Sequence, residues 1–216
     1  MKRRFFTNLS LILTVFILVS CSTVSTEEKE QIKTSALLLG EKYNSLEQHE
    51  KAVEVYEKAL TQVSDYRINY NLAASLMLSK QYRKAAELCI SSFEQYPHIT
   101  AFKKLEKEAW LKLRQTEKAI NVMEEILSLD PADTETREEL MLLYRSKGLK
   151  EKALSCAEDL YNRRVITNAV LSILYESDNK KWEGVCSVLY SEEEPVEEEE
   201  WVFDIFTLPE PPQLSK

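Results

Sequence analysis

The sequence predicts an all-α fold, a solenoid of stacked helix pairs, and two observations lead to this class. Only three glycines and six prolines occur in 216 residues, while Glu, Leu, Lys and Ala are abundant. This composition favours helix and leaves few residues for hairpin turns. The second observation is self-similarity at a spacing of 33 to 34 residues, which is typical of paired-helix repeats.

Four alanines mark this repeat, and each of them follows a lysine. They are Ala52, Ala85, Ala119 and Ala153. A small residue at such a point lets two antiparallel helices approach closely. The spacing therefore predicts four helix pairs, with the alanine on the second helix of each pair.

Several residues have the character of helix ends. Ser25 with Glu28 three residues later is a capping box that opens the first helix, and Thr100 and Asp133 are candidate N-caps of later helices. Gly148 is expected in a left-handed turn between two helices of one pair.

The regular pattern weakens from Asn168 onward. Trp182 comes only seven positions after Tyr175, which is short for a full helix pair. We interpret residues 168–190 as a shortened fifth unit that covers the open end of the core, because terminal repeats must do so. A plain helix pair outside the repeat pattern remains the alternative.

Aromatic and small residues recur at matching positions around the four alanines. They include Gly40, Tyr43, Tyr56, Ala73, Tyr82, Trp110, Pro131, Leu140, Tyr144 and Tyr161. In these features residues 33–167 resemble the tetratricopeptide repeat family. The resemblance implies four repeats and the shortened fifth within residues 31–190, and a protein that binds other proteins.

The first twenty residues have the three parts of an export signal. Basic residues at positions 2–4 precede an apolar stretch at Leu9–Leu18, and the small Ser20 ends the segment. An uncleaved membrane helix is the alternative. Residues 5–20 would span only ~24 Å, less than the ~30 Å of a hydrocarbon core. Residues 1–20 are therefore predicted to be a signal peptide.

The segment from Leu18 to Cys21 resembles the lipobox of bacterial lipoproteins. The resemblance implies that Cys21 receives a diacylglycerol, that the signal is cleaved before it, and that an acyl group such as palmitate modifies the new amino terminus. Several acyl chains would hold the chain stably on a membrane of the bacterial envelope. Residues 21–30 would then be a short tether. Which membrane and which side stay open, and an ordinary secretory signal is the alternative.

The charge of the chain lies mostly in its tail. The formal net charge is −8, and residues 191–216 alone hold nine acids and one lysine. No basic face for phosphate contacts is present, so nucleic acid is not an expected partner.

The tail, residues 191–216, is acidic and contains prolines, yet it also carries large apolar residues between Trp201 and Phe206. We expect this apolar segment to dock, either over the last repeat or in the groove of the array.

No constellation of residues points to an enzyme. The two histidines, His49 and His98, are far apart in the sequence, and there is no glycine-rich phosphate loop. No Cys/His cluster has the spacing of a zinc site, so no metal, cofactor or small-molecule substrate is expected. The three remaining cysteines fall on apolar helix stripes, and a disulfide among them stays open: Cys89, Cys156 and Cys186.

A groove lined by the first helix of each pair is the implied binding site. Carrying over the groove positions of the family gives the candidate partner-binding residues Arg67, Tyr70, Met77, Lys104, Glu108 and Arg145. A mixed aromatic and charged lining suits a peptide ligand. The predicted function is a membrane-anchored adaptor for other envelope proteins. The alternative is an accessory lipoprotein that docks a solute-binding protein of a transport system.

Overall fold

The structure is a computed structural model, and it describes residues 25–190. The predicted signal peptide, the proposed lipid-acceptor Cys21 and the tail lie outside the described residues, as does the apolar segment 201–206. No described helix is both long enough and apolar enough to cross a membrane.

Ten α-helices and no strands make up the described part of the chain. In chain order they are α1 (Thr26–Ser45), α2 (His49–Leu60), α3 (Tyr66–Leu78), α4 (Tyr82–Gln95), α5 (Ala101–Lys112), α6 (Thr116–Leu129), α7 (Thr134–Ser146), α8 (Lys150–Asn162), α9 (Asn168–Ser177) and α10 (Asn179–Tyr190).

Each helix packs against the next one along the chain, so the helices form five successive antiparallel pairs. The first helices of neighbouring pairs also touch, since α1 contacts α3 and α3 contacts α5. Stacking of this kind is a solenoid, and the predicted all-α fold class is confirmed. The shortened fifth unit is the pair of α9 and α10.

The four alanines lie on the second helices α2, α4, α6 and α8, and all of them are buried. In the first pair Gly40 of α1 faces Tyr56 of α2. A Cβ atom at Gly40 would overlap the buried Tyr56 ring. The prediction that small residues bring the paired helices together is confirmed.

Three apolar clusters form the core of the described array. The largest runs from α1 to α6, a second runs from α6 to α10, and a small third one joins Ala73, Cys89 and Phe102. Helix α6 contributes to both large clusters, with Val122 in the first and Met123 in the second. The third pair is therefore where the two halves of the core meet.

Two of the three predicted N-caps are confirmed. Ser25 accepts a hydrogen bond from the Glu28 backbone N–H at 3.1 Å, and Asp133 accepts one from Thr136 at 3.0 Å. Thr100 occupies the predicted N-cap position, but the prediction that its side chain caps the helix is wrong. Thr100 precedes α5 but makes no side-chain cap, because its backbone is helical (φ −61°, ψ −18°) rather than extended.

The first helix begins at Thr26, inside the segment that was predicted to be a tether up to residue 30. The Ser25 cap and the acidic Glu27 and Glu28 in the first turn stabilise this earlier start, since negative charge suits a helix N-terminus. Gly148 adopts the predicted left-handed conformation with φ of 72°.

Candidate partner-binding groove

We call the side of the array formed by the first helices of the pairs, α1, α3, α5, α7 and α9, the groove face. The six predicted binding residues all lie on these helices: Arg67, Tyr70 and Met77 on α3, Lys104 and Glu108 on α5, and Arg145 on α7. Their spacings of three, four or seven residues place those on one helix along a single side of it.

Tyr70 is the aromatic residue among the six predicted binding residues. Its side chain is 36% exposed, and its ring meets the buried Phe102 of α5 edge-on with centroids 5.9 Å apart. Met77, on the same side of α3, is half-buried and packs against the first core cluster. Tyr70 is thus held in place by the next helix pair while it still presents a surface to a ligand.

Arg67 forms an ion pair with the N-cap residue of its own helix. Its guanidinium pairs with Asp65 at 2.7 Å, and Asp65 also caps α3 by accepting from the Arg67 backbone N–H. The hydrogen bond from Arg67 lowers the pKa of Asp65 despite partial burial, and the more distant Lys33 adds to the effect. Arg67 therefore has a structural role at the cap as well as an exposed position.

Lys104 connects the third pair to the fourth. Its ammonium lies 2.7 Å from the carboxylate of Asp133, the N-cap of α7. Burial would raise the pKa of Asp133, but the hydrogen bonds from Lys104 and Thr136 lower it below its ordinary value. The side chain of Lys104 remains about half exposed.

Arg145 makes the same kind of link from the fourth pair to the fifth. Its guanidinium donates to Ser172 at 2.8 Å and pairs with Glu176, both on α9. Glu108 pairs with Lys107 at 3.1 Å on its own helix. The structure thus gives each of the predicted charged residues an intramolecular partner, and it leaves one side of each exposed.

A buried charged cluster on α5 was missed by the sequence analysis. Lys103, Glu106 and Lys107 are all buried. Lys103 pairs with Glu106 at 3.0 Å and with Glu125 of α6 at 2.7 Å, and the indole of Trp110 donates to Glu106 at 3.2 Å.

Lys107 connects this cluster to the fourth pair, because it forms an ion pair with Glu139 of α7. Burial alone would lower the pKa of Lys107, but the hydrogen bond and charge of Glu139 and the nearby Glu108 raise it above its ordinary value. The lysine therefore stays charged although it is almost fully enclosed.

The repeat spacing itself contained the signal for this cluster. Glu106 lies 34 residues after Leu72 and 34 before Leu140, both of which are buried core residues. A glutamate at a core position of a repeat therefore predicts that a partner of opposite charge lies beside it, because an unpaired buried charge is too costly.

In the described part of the chain, no group of three or more His, Cys, Asp or Glu side chains could hold a metal ion. Cys89 and Cys156 are free thiols, and burial raises the pKa of Cys89 to about 12, so its thiolate is scarce at neutral pH. The side chain of Cys186 lies outside the described residues.

Comparison with known proteins agrees with this architecture. A sequence model of the tetratricopeptide repeat matches residues 34–62, which span most of α1 and all of α2. The fold is a tetratricopeptide-type solenoid. A tetratricopeptide repeat protein of Parabacteroides merdae is similar in structure, with a TM-score of 0.63 and 16% identity over 75% of this chain and 67% of that one.

Two further proteins are similar to the tetratricopeptide array. MamA of Desulfovibrio magneticus has a TM-score of 0.58 and 14% identity, covering 74% of this chain and 94% of that one. The BBSome complex member BBS4 of Bos taurus is 30% identical over 125 residues, which are 57% of this chain. The chain spans only 22% of the length of that curated relative. Tetratricopeptide repeats generally mediate protein–protein interaction and are not themselves enzymes.

Proposed function

We propose that this chain is a membrane-anchored scaffold of the bacterial cell envelope, which binds a segment of another envelope protein on its groove face. The observation that carries the binding role is the pre-arranged row of half-exposed side chains on α3, α5 and α7. Each is held by a contact within the array, so little conformational entropy is lost when a ligand binds.

The composition of the groove face favours a peptide or helix as the ligand. Tyr70 offers a rigid aromatic surface, and aromatic residues are enriched among the strongest contacts of protein interfaces. Lys104 and Glu108 on α5 and Arg145 on α7 present both signs of charge. Because each is already paired, these charges select a complementary ligand more than they add affinity.

The membrane anchor is supported by the lipobox-like segment that ends at Cys21 and by the early start of α1. Only residues 22–24 lie between Cys21 and the Ser25 cap. At ~3.3 to 3.6 Å per residue, the four steps from Cys21 to Ser25 reach at most about 14 Å. An acylated Cys21 would therefore keep the first helix pair next to the bilayer.

Mass spectrometry of the membrane fraction tests the anchor. We expect an acylated amino-terminal peptide that begins at Cys21, and a Cys21→Ser protein that is lost from membranes. Cys156→Ser is the matched control, because Cys156 lies in the array on α8 and its replacement leaves the lipobox intact. Membrane retention of Cys21→Ser at the level of the unchanged protein would refute the anchor.

Photo-crosslinking in cells tests the groove face. With p-benzoylphenylalanine at position 70 or 104 we expect covalent adducts with an envelope protein, and at Glu57 or Glu87 on the second helices we expect none. A transport solute-binding protein in the adducts would favour the accessory-subunit function, and an assembly factor would favour the adaptor.

The affinity of the partner identified in this way is then measured. Tyr70→Ala is expected to weaken binding at least about tenfold, as loss of an aromatic anchor does. The matched control is Ile90→Ala, since Ile90 is equally exposed at 36% but lies on the second helix α4. Equal losses from the two variants would contradict a binding site on the groove face.

A further inference from the structure

The amino-terminal end of the array has an open apolar cleft. It lies between α1 and α2 and has a volume of about 470 Å³, within the ~300 to 1,000 Å³ typical of ligand pockets. Most of its wall area is apolar, and polar residues including one acid and one lysine complete the lining, which both helices supply: Glu28, Gln31, Ile32, Ser35, Ala36, Leu39, Val55, Lys58, Ala59 and Gln62.

This cleft faces away from the second helix pair. On α1, Lys33 and Asn44 point toward α3, where they meet Asp65 at 3.9 Å and Ser75 at 2.8 Å. Ile32 and Leu39 are seven residues apart and form one stripe, roughly a third of a turn away from the side that meets α3. Leu46 extends the same stripe by a further seven residues.

Comparison of the repeats shows that no other described part of the chain covers this surface. Leu39 is 43% exposed, whereas Leu72 and Leu140, at the same position in the second and fourth pairs, are 5% and 2% exposed. In those pairs the preceding helix pair covers the leucine. Leu46 is also exposed, at 54%. Terminal repeats of a solenoid normally present a polar outer face, so the first pair departs from this rule.

With the signal cleaved before Cys21, as proposed, the segment that precedes α1 would be too short to supply the cover. A second helix of the array has at least 12 residues, and only residues 22–24 separate Ser25 from Cys21. A lipid on Cys21 would hold the end of α1 within about 14 Å of the bilayer, at full extension of the intervening residues.

We propose that the membrane to which Cys21 is anchored covers this end face, so that lipid takes the place of a preceding helix pair. The inference rests on the lipidation of Cys21 in the proposed function. Leu39 and Leu46 enter the boundary between headgroups and acyl chains, as the apolar side of an interfacial helix does. Lys58, at the edge of the cleft, lies level with the anionic headgroups.

The orientation that follows is specific. The solenoid stands on its first helix pair, and the second to fifth pairs lie at increasing distance from the bilayer. The groove face then runs away from the membrane, so a bound partner extends along the same direction.

Lipid photo-crosslinking tests this orientation on the full chain, made in a bacterial host and purified from its membranes. Single p-benzoylphenylalanine residues replace Leu39, Leu46 or, as the matched control, Leu78, which is 51% exposed on α3. The proteins are reconstituted in vesicles of phosphatidylethanolamine and phosphatidylglycerol. Positions 39 and 46 are expected to give at least about tenfold more lipid adduct than position 78, since an interfacial face is immersed by ~5 to 10 Å.

The same samples separate the two proposals. The mass of the amino-terminal peptide reports whether Cys21 is acylated, independently of the adducts. Acylated Cys21 without lipid adducts at 39 and 46 would overturn the docking alone, and covalent dimers through these positions would assign the face to a second copy. An unmodified Cys21 would overturn the anchor and with it the docking.

Hydrogen exchange provides a second measurement. Exchange of α1 and α2 amides should be slower on vesicles than after the anchor is removed by proteolysis, and Leu39→Glu with Leu46→Glu should abolish this slowing. Leu78→Glu should leave it unchanged. Equal slowing in all three proteins would contradict a specific docking face.

Discussion

The first and third helix pairs share one backbone arrangement but are held together by different forces. At three equivalent positions the first pair has Ala36, Leu39 and Gly40, and the third pair has Lys103, Glu106 and Lys107. In the first pair a Tyr56 ring packs directly on Gly40. In the third pair charged side chains fill the same places and are paired with α6 and α7.

The difference shows that the same repeat geometry can be filled either by apolar packing or by a buried ion network, and that the two are disrupted by different kinds of substitution. Apolar packing depends on exact volume, because interiors are as dense as organic crystals. A buried ion network depends on every partner, since the removal of one partner leaves an uncompensated charge. We therefore expect the third pair to be sensitive to charge and the first to be sensitive to size.

The largest expected effect is the loss of Glu106, which partners both Lys103 and Trp110. Glu106→Ala should lower the free energy of unfolding by about 3 to 5 kcal/mol, the usual cost of breaking a buried ion pair. Urea denaturation monitored by circular dichroism measures it.

The double variant Lys103→Met with Glu106→Leu sharpens this test, because it converts the third pair to the apolar solution that Leu72 and Leu140 already represent. It should recover most of the loss, since apolar replacements of a buried ion pair are often neutral or better. If the double variant is less stable than Glu106→Ala, the two solutions are not interchangeable.

The next effect concerns volume in the first pair. Gly40→Ala should lower the free energy of unfolding by about 1 to 3 kcal/mol, because the added methyl group overlaps the buried Tyr56 ring. Gly184→Ala is the control, since a Cβ there meets nothing within 4 Å. That exposed helical position should instead gain up to about 1 kcal/mol from the higher helix propensity of alanine. Thermal melts of both variants decide the outcome, and an equally stable Gly40→Ala would show that the first pair has room to adjust.

The smallest effect is the dependence of stability on acid. Two carboxylates at the contact between the third and fourth pairs have lowered pKa values. Hydrogen bonds from Lys104 and Thr136 lower the pKa of Asp133. Hydrogen bonds from Tyr144 and Lys152 lower the pKa of Glu124. Because the folded pKa lies below the unfolded one, each contribution is complete above the ordinary value near 4 and is lost as pH falls through the folded pKa.

Asp133→Asn isolates the charge, because asparagine caps a helix about as well as aspartate. It should cost less than about 1 kcal/mol at neutral pH, since Lys104 is half exposed, and should flatten the acid limb of the stability profile. Urea midpoints from pH 2 to pH 7 measure this. If the stability of Asp133→Asn falls with acid as much as that of the unchanged protein, the pairing of Asp133 with Lys104 contributes nothing to the free energy of unfolding.

Much of the candidate site was predictable, but its electrostatics were not. The groove positions of Tyr70, Lys104 and Arg145 follow from helix periodicity, because side chains three or four residues apart share one side of a helix. Their partners Phe102, Asp133 and Glu176 lie in the next pair, 29 to 32 residues away in the sequence. No local pattern connects residues at that separation, so these contacts emerged only from the stacking of the pairs.

The sequence by itself determined the all-α class, the number of helix pairs, the buried alanines and the left-handed turn at Gly148, because each depends on local spacing or on one residue's backbone freedom. The tertiary structure decided that Lys103, Glu106 and Lys107 are buried and that Leu39 is exposed. Residue type alone predicts the reverse for all four. Burial depends on which helices lie alongside. Among the described residues no helix pair precedes the first, whereas the buried lysines of the third pair have carboxylate partners on α6 of the same pair and on α7 of the next.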